Sequence, residues 1–257
     1  MKKKPFCKPC LLYLSLLILT TGCIATHKSP QQFSQGIQAR FDLAKSYLAQ
    51  DQPRRSLKEL LTVKDKVADS SKFHFLLGLT YSELNRPKKA IKHFQKVVEI
   101  NPNNGKAWNN MGQTYYQLSQ LSNSIHSFKK ALSIQTYLTP EYPAYNLARI
   151  YKKQDQPRTA IGFAQKAVTY NQKYIPAYLL LSNLYLQENE IKKATNWVKK
   201  GVTANPGNIE LIFILAENQL RLGQTNNAID NFKQIMALQP KSEIAQMAKD
   251  YMDILAP

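Results

Sequence analysis

The sequence predicts an all-α solenoid of six helical hairpins closed by a C-terminal capping helix. Three observations predict it. Small residues recur in register along the chain, large apolar residues flank them at helical spacing, and prolines punctuate the same place in successive units. With Gly112 as the eighth position of its unit, the units open at Ile37, Ser71, Gly105, Glu141, Ile175 and Ile209, at spacings of 34, 34, 36, 34 and 34 residues. Nothing reads as a strand.

Residues 1–22 precede the solenoid and follow other rules. Lys2, Lys3, Lys4 and Lys8 stand before the apolar run 11–19, and the chain then reads Leu19-Thr20-Thr21-Gly22-Cys23, the charge, length and small-residue pattern of a signal peptide. The run is shorter than the roughly 20 apolar residues of a spanning helix. Its ending resembles the lipobox of bacterial lipoproteins, which implies cleavage before Cys23 and a lipid on that cysteine. An uncleaved anchor and ordinary secretion fit the same pattern. Ile24 after the cysteine is similar to lipoproteins sorted to the outer membrane of a Gram-negative envelope, facing the periplasm. Residues 23–36, with Ser29, Pro30, Gln31, Gln32, Ser34 and Gln35, read as a polar tether. Cys7 and Cys10 leave with the signal segment, and no second pair or histidine accompanies them, so neither a metal nor a cofactor is expected.

The solenoid spans residues 37–257. Where the two helices of a hairpin approach most closely, the first contributes Ala44, Gly78, Gly112, Ala148, Ser182 or Ala216 and the second Ser56, Ala90, Ser124, Ala160, Ala194 or Ala228. Leu43, Leu77, Met111, Leu147, Leu181 and Leu215 adjoin them, with Tyr47, Tyr81, Tyr115, Tyr151 and Tyr185 one turn on, as a seam between hairpins requires. Gln219 alone departs from the tyrosine column. Pro53, Pro87 and Pro157 each open a second helix, where a missing N–H costs nothing. Pro102, Pro206 and Pro240 mark the ends of second helices. Two extra residues near 136–139 predict a longer link after the third hairpin. Residues 243–257, with Ile244, Ala248, Tyr251 and Leu255 on one stripe, suit a capping helix that covers the last open face.

Trp108, Met111, Gly112 and Tyr115 resemble the tetratricopeptide pattern Trp, two residues, Leu-Gly, two residues, Tyr. A narrower resemblance lies in the run Asn101-Pro102-Asn103-Asn104-Gly105-Lys106-Ala107-Trp108-Asn109-Asn110-Met111-Gly112, followed by Tyr137-Leu138-Thr139-Pro140-Glu141 and Asn146. It is similar to the type IV pilus biogenesis and stability lipoproteins of the PilF/PilW kind. That resemblance implies an outer-membrane pilotin of about six repeats that helps a secretin assemble.

Charge bears on partners. The chain carries +18, and loss of Lys2, Lys3, Lys4 and Lys8 lowers this to +14. Such a balance favours acidic partners, although pairs such as Lys88-Lys89, Lys129-Lys130 and Lys192-Lys193 are spread over many units and read first as a solvated face. Export and the lack of any zinc-finger or RNA-recognition signature argue against nucleic acid.

In tetratricopeptide stacks the first helices line the inner face, and their fifth position points into it. That column reads Phe41, Phe75, Asn109, Tyr145, Leu179 and Phe213, and Leu79, Tyr116 and Leu186 come from adjoining columns. Two readings stand: an exposed apolar strip that docks a protein segment, or burial of these side chains between neighbouring first helices. No lysine occupies the column, which disfavours capture of a terminal carboxylate, while Arg149, Lys152 and Lys153 offer a basic rim around the fourth unit.

No glycine-rich phosphate loop, His-Glu-x-x-His helix or Gly-x-Ser-x-Gly elbow occurs, and His27, His74, His93 and His126 are scattered, so no enzyme is expected. The function expected is a scaffold that binds a secretin or another pilus component. The alternative is an adaptor for cell-wall enzymes or envelope proteases.

Overall fold

The computed structural model describes residues 33–255. Among them thirteen α-helices and one 3-10 turn, Lys64–Lys66, form six hairpins and a cap, with no strand. The first helices are α1 (Gln35–Ala49), α3 (Ser71–Glu83), α5 (Gly105–Gln117), α7 (Glu141–Lys153), α9 (Ile175–Gln187) and α11 (Ile209–Arg221). Their partners are α2 (Pro53–Thr62), α4 (Pro87–Ile100), α6 (Leu121–Ser133), α8 (Pro157–Tyr170), α10 (Ile191–Ala204) and α12 (Thr225–Leu238). The cap is α13 (Glu243–Leu255), which packs on α12 and α11. Gln35 and Gly36, expected in the tether, belong to α1, whose first turn closes when Gln38 N–H donates to Ser34 O at 3.0 Å.

Close packing of each hairpin follows from its small residues. All twelve close-approach positions are buried. A Cβ built on Gly78 would lie 2.5 Å from the Phe94 ring, and one on Gly112 would lie 2.7 Å from Phe128. These rings use the space that a side chain would fill. Polar members of the column find partners: Ser124 Oγ donates to Gly112 O at 2.8 Å, and the Ser56 hydroxyl shares a 2.9 Å bond with Thr80 of the next hairpin. Leu43 departs from the expected seam and is 43% exposed, because among the described residues no hairpin precedes α1 to pack against it. The core is a chain of local clusters, each bridging neighbouring hairpins, as expected when every repeat touches only the next.

The turn between the helices of a hairpin is the same in all six. Asp51, Asn85, Ser119, Asp155, Asn189 and Gly223 have φ between 52° and 72°, and they recur at the repeat spacing. The next N–H reaches back to the carbonyl of Tyr47, Tyr81, Tyr115, Tyr151, Tyr185 or Gln219 at 2.8–2.9 Å. This is the Schellman closure, which satisfies helix-end carbonyls and needs one left-handed residue. Successive first helices α1, α3, α5, α7 and α9 lie side by side, whereas successive second helices make no comparable contact among the described residues. The first helices therefore form the inner wall on which the site is built.

Candidate functional site

The fifth-position column is not a continuous open strip. Phe41 is 0% exposed: Phe33 meets its ring edge-on at 5.1 Å and Lys72 Nζ lies 5.2 Å from its centroid. Phe213 is 6% exposed, held between Phe232 of α12 and Tyr251 of the cap, each 5.8 Å away between ring centroids. Asn109 is 7% exposed, and its Oδ1 has no hydrogen-bond partner. These three expected groove residues are core residues: the segment ahead of α1 seals one end of the column, the cap seals the other, and Asn109 is buried within the stack. Phe75, Leu79, Tyr116, Tyr145, Leu179 and Leu186 are half-buried. Phe75 leans on Phe94 at 6.0 Å, and Leu179 packs on the central cluster.

One opening lies between α5 and α7. A cleft of about 310 Å³ is lined by Gln113, Tyr116, Gln117, Asn146 and Arg149 and reaches down to Phe128. Gln113, Tyr116 and Gln117 share a stripe because they sit three and four residues apart on one helix. Asn146 and Arg149 face them from α7 by the same spacing. The Arg149 guanidinium carbon is 5.4 Å from the Tyr116 centroid and 5.8 Å from that of Tyr145, and Lys153 Nζ is 5.8 Å from Tyr116. Cations over ring faces are attracted by the ring quadrupole and are held in place by it. Lys152 Nζ donates to Asn183 Oδ1 of α9, one first helix further along. Tyr174 packs edge-on against Tyr142 and Tyr145 at 5.5 and 5.4 Å. Burial there pushes its phenol up to about 12, with Tyr145, Tyr142 and Glu141 adding to the effect and Arg149 opposing it.

Sequence reasoning singled out Tyr116, Tyr145 and the basic rim, but not Gln113 or Gln117. The signal for the glutamines was available as helical spacing from Tyr116; their polarity hid them from a search for apolar columns.

Sequence separation also hid a histidine pair. His74 of α3 and His93 of α4 approach at 3.0 Å between their Nδ1 atoms, and His74 Nε2–H donates to Ala68 O at 2.8 Å. That bond leaves His74 Nδ1 as the acceptor and His93 Nδ1–H as the donor. The His93 ring stacks on Tyr81 at 5.4 Å. Burial, then His74, Lys92 and Lys89, lower His93 to about 4; burial also lowers His74. Among the described residues no cluster of three His, Cys, Asp or Glu groups could hold a metal ion, and no helix is long and apolar enough to cross a membrane. The expected signal segment 1–22 and Cys23 lie outside the described residues, as does most of the tether.

Models of the tetratricopeptide repeat match residues 71–104, 93–125, 175–208 and 210–242. No curated protein matches the chain. Among solved structures it is similar to PilW, a widely conserved type IV pilus biogenesis factor, with 21% identity and a TM-score of 0.65 over 84% of this chain and 99% of that one. It is similar to Pseudomonas aeruginosa PilF, with 17% identity and a TM-score of 0.67 over 84% of this chain and 97% of that one. It is also similar to YrrB, a tetratricopeptide protein with an unusual peptide-binding site, at 17% identity and a TM-score of 0.53 over 74% and 97% of the two chains. At these identities the likeness is one of fold. Repeat matches, helix order and structural likeness agree, and the described residues form a tetratricopeptide-repeat α-solenoid of six hairpins and a capping helix.

Proposed function

We propose that this protein is a lipid-anchored scaffold for type IV pilus biogenesis. It holds a secretin subunit, or another pilus component, in the cleft between α5 and α7. The observation that carries the reading is the cleft itself: the inner wall is sealed at both ends of its fifth-position column, and it remains open where two half-buried tyrosines flank a stacked arginine. Likeness in fold to PilW and PilF supplies the pilus context. No catalytic constellation enters the proposal, because a solenoid of this kind offers a surface rather than a pocket of reacting groups. Anchoring rests on the lipobox-like ending at Cys23, with the periplasmic face of the outer membrane as the site of action.

The test is recovery of the secretin with the anchored protein. Replacing Tyr116 and Tyr145 together by Asp should abolish recovery while helicity by circular dichroism stays unchanged. Full recovery by a folded double variant would refute docking at the cleft. Palmitate labelling that persists in Cys23→Ser would refute the anchor.

A further inference from the structure

We infer that the cleft between α5 and α7 selects a segment of its protein partner that carries side-chain carboxylates. The inference rests on the docking reading above and names the chemistry of the guest.

The charge around the cleft has one sign. Helices α5 and α9 contain no acidic residue, and α7 contains only Glu141, which is buried and accepts from Asn171 Nδ2 at 3.2 Å. The same three helices present Lys106, Arg149, Lys152 and Lys153. Among the described residues the ion pairs are Arg40–Glu59, Lys96–Glu99 and Lys193–Glu190, so Arg149, Lys152 and Lys153 have no carboxylate partner. Acidic residues do occur on the first helices to either side, as Glu83 on α3 and Glu210 and Glu217 on α11. The middle of the wall is therefore a positive stretch between partly acidic ends.

Geometry makes Arg149 the centre of recognition. Its guanidinium lies within stacking reach of Tyr116 and Tyr145, which limits its rotamers and leaves N–H edges for a carboxylate. Bidentate pairing of this kind is directional and charge-assisted, and pre-ordering of the arginine lowers the entropy cost of forming it. Lys153 shares the Tyr116 ring and adds charge, while Lys152 is tied to Asn183 and extends the positive surface toward α9. Gln113, Gln117 and Asn146 add amides able to pair with a guest backbone. The half-buried rings of Tyr116 and Tyr145 take apolar side chains between the carboxylates. An internal segment alternating acidic and apolar residues meets all of these groups. Nothing in the arrangement requires a chain end.

The experiment measures binding of the full chain to short fluorescent peptides by anisotropy. The probe alternates Glu and Leu and is amidated at its C-terminus; comparison peptides carry Gln or Lys in place of Glu. The Glu peptide should bind at least about tenfold more tightly than the Gln peptide, with the Lys peptide weakest, in keeping with a charge-assisted pair. Arg149→Gln with Lys153→Gln should remove that preference. Lys129→Gln with Lys130→Gln, an equal charge loss on α6, should retain it. Arg149→Lys guards against misfolding of the first variant, since it keeps the charge but loses the fork, and it should weaken the Glu peptide about tenfold. Equal binding of the Glu and Gln peptides overturns the inference, as does equal loss in the α6 variant. A requirement for a free C-terminal acid overturns it in favour of end capture. Equal displacement by phosphatidylglycerol vesicles or by inorganic phosphate at matched charge overturns it in favour of a general anion surface. If the Glu peptide fails while the secretin still co-purifies with the anchored protein, the acidic-segment inference falls and the docking reading stands.

Discussion

The ring of Tyr137 occupies the space that a side chain on Gly105 would need: a Cβ there would lie 2.5 Å from Tyr137 Cγ. Tyr137 belongs to the longer link, residues 134–140, between the third and fourth hairpins, and it is buried. The two extra residues thus bring an aromatic side chain back onto the start of α5, and glycine at 105 is what admits it. Gly105→Ala should destabilise the protein by about 1–3 kcal/mol, the usual range for overpacking. In a denaturant series, Gly105→Ala combined with Tyr137→Ala should cost less than the sum of the single changes, because the ring that the methyl displaces is gone.

Asn109 gives a change in the opposite direction. Its Oδ1 is buried without a partner, and such a group costs about 1–3 kcal/mol relative to a satisfied one. Asn109→Leu should raise the unfolding midpoint by removing that cost. Because the side chain is core rather than groove, the proposed capture of a pilus component should not change.

The six left-handed turn residues predict a paired outcome. Ser119 holds a φ of 59°, which costs a residue with a Cβ about 1 kcal/mol, so Ser119→Gly should stabilise by roughly that amount. Gly223 sits at the same turn position with a φ of 72°, and Gly223→Ala should destabilise by a similar amount. Chemical denaturation of both variants checks the signs together.

The histidine pair should make stability depend on acidity. His93 titrates near its ordinary 6.5 when unfolded and near 4 in the folded chain. Between those values the unfolded chain binds the extra proton, so stability falls as the pH drops from about 6.5 to 4, and this group contributes no slope above that window. Protonation of His74 at Nδ1 would set two donors face to face, and protonation of both rings would set two charges against each other. Thermal melts from pH 7.5 to 4.5 should show the decline. His93→Phe, which keeps a ring for Tyr81, should flatten it.

The fold was legible because its determinants are periodic. Gly78, Gly112 and Ala148 mark places where helices nearly touch, and a side chain too large there could not be accommodated, so the spacing is written directly in residue size. The left-handed turns were written as well, in Asp51, Asn85, Asp155, Asn189 and Gly223, residue types that tolerate positive φ, but their variety, and Ser119 among them, conceals the column. The site was harder to read. Whether Phe41 or Phe213 is open depends on what lies across it, and the covering groups, Phe33 and Tyr251, come from outside the repeat. Position within a repeat fixes the direction of a side chain; it does not fix what neighbours leave uncovered. The pairing of His74 with His93 was hidden for a different reason: the same two repeat positions hold Arg40 with Glu59 in the first hairpin and Tyr178 with Trp197 in the fifth, so the column keeps its contact but not its residue type.

The most direct test of the account is crosslinking from inside the cleft. A photoreactive benzoylphenylalanine placed at Gln117 of α5, in the anchored protein in living cells, should crosslink to the secretin on irradiation, and the same residue at Lys130 of α6 should not. Crosslinking from Lys130 with none from Gln117 would contradict docking on the inner wall.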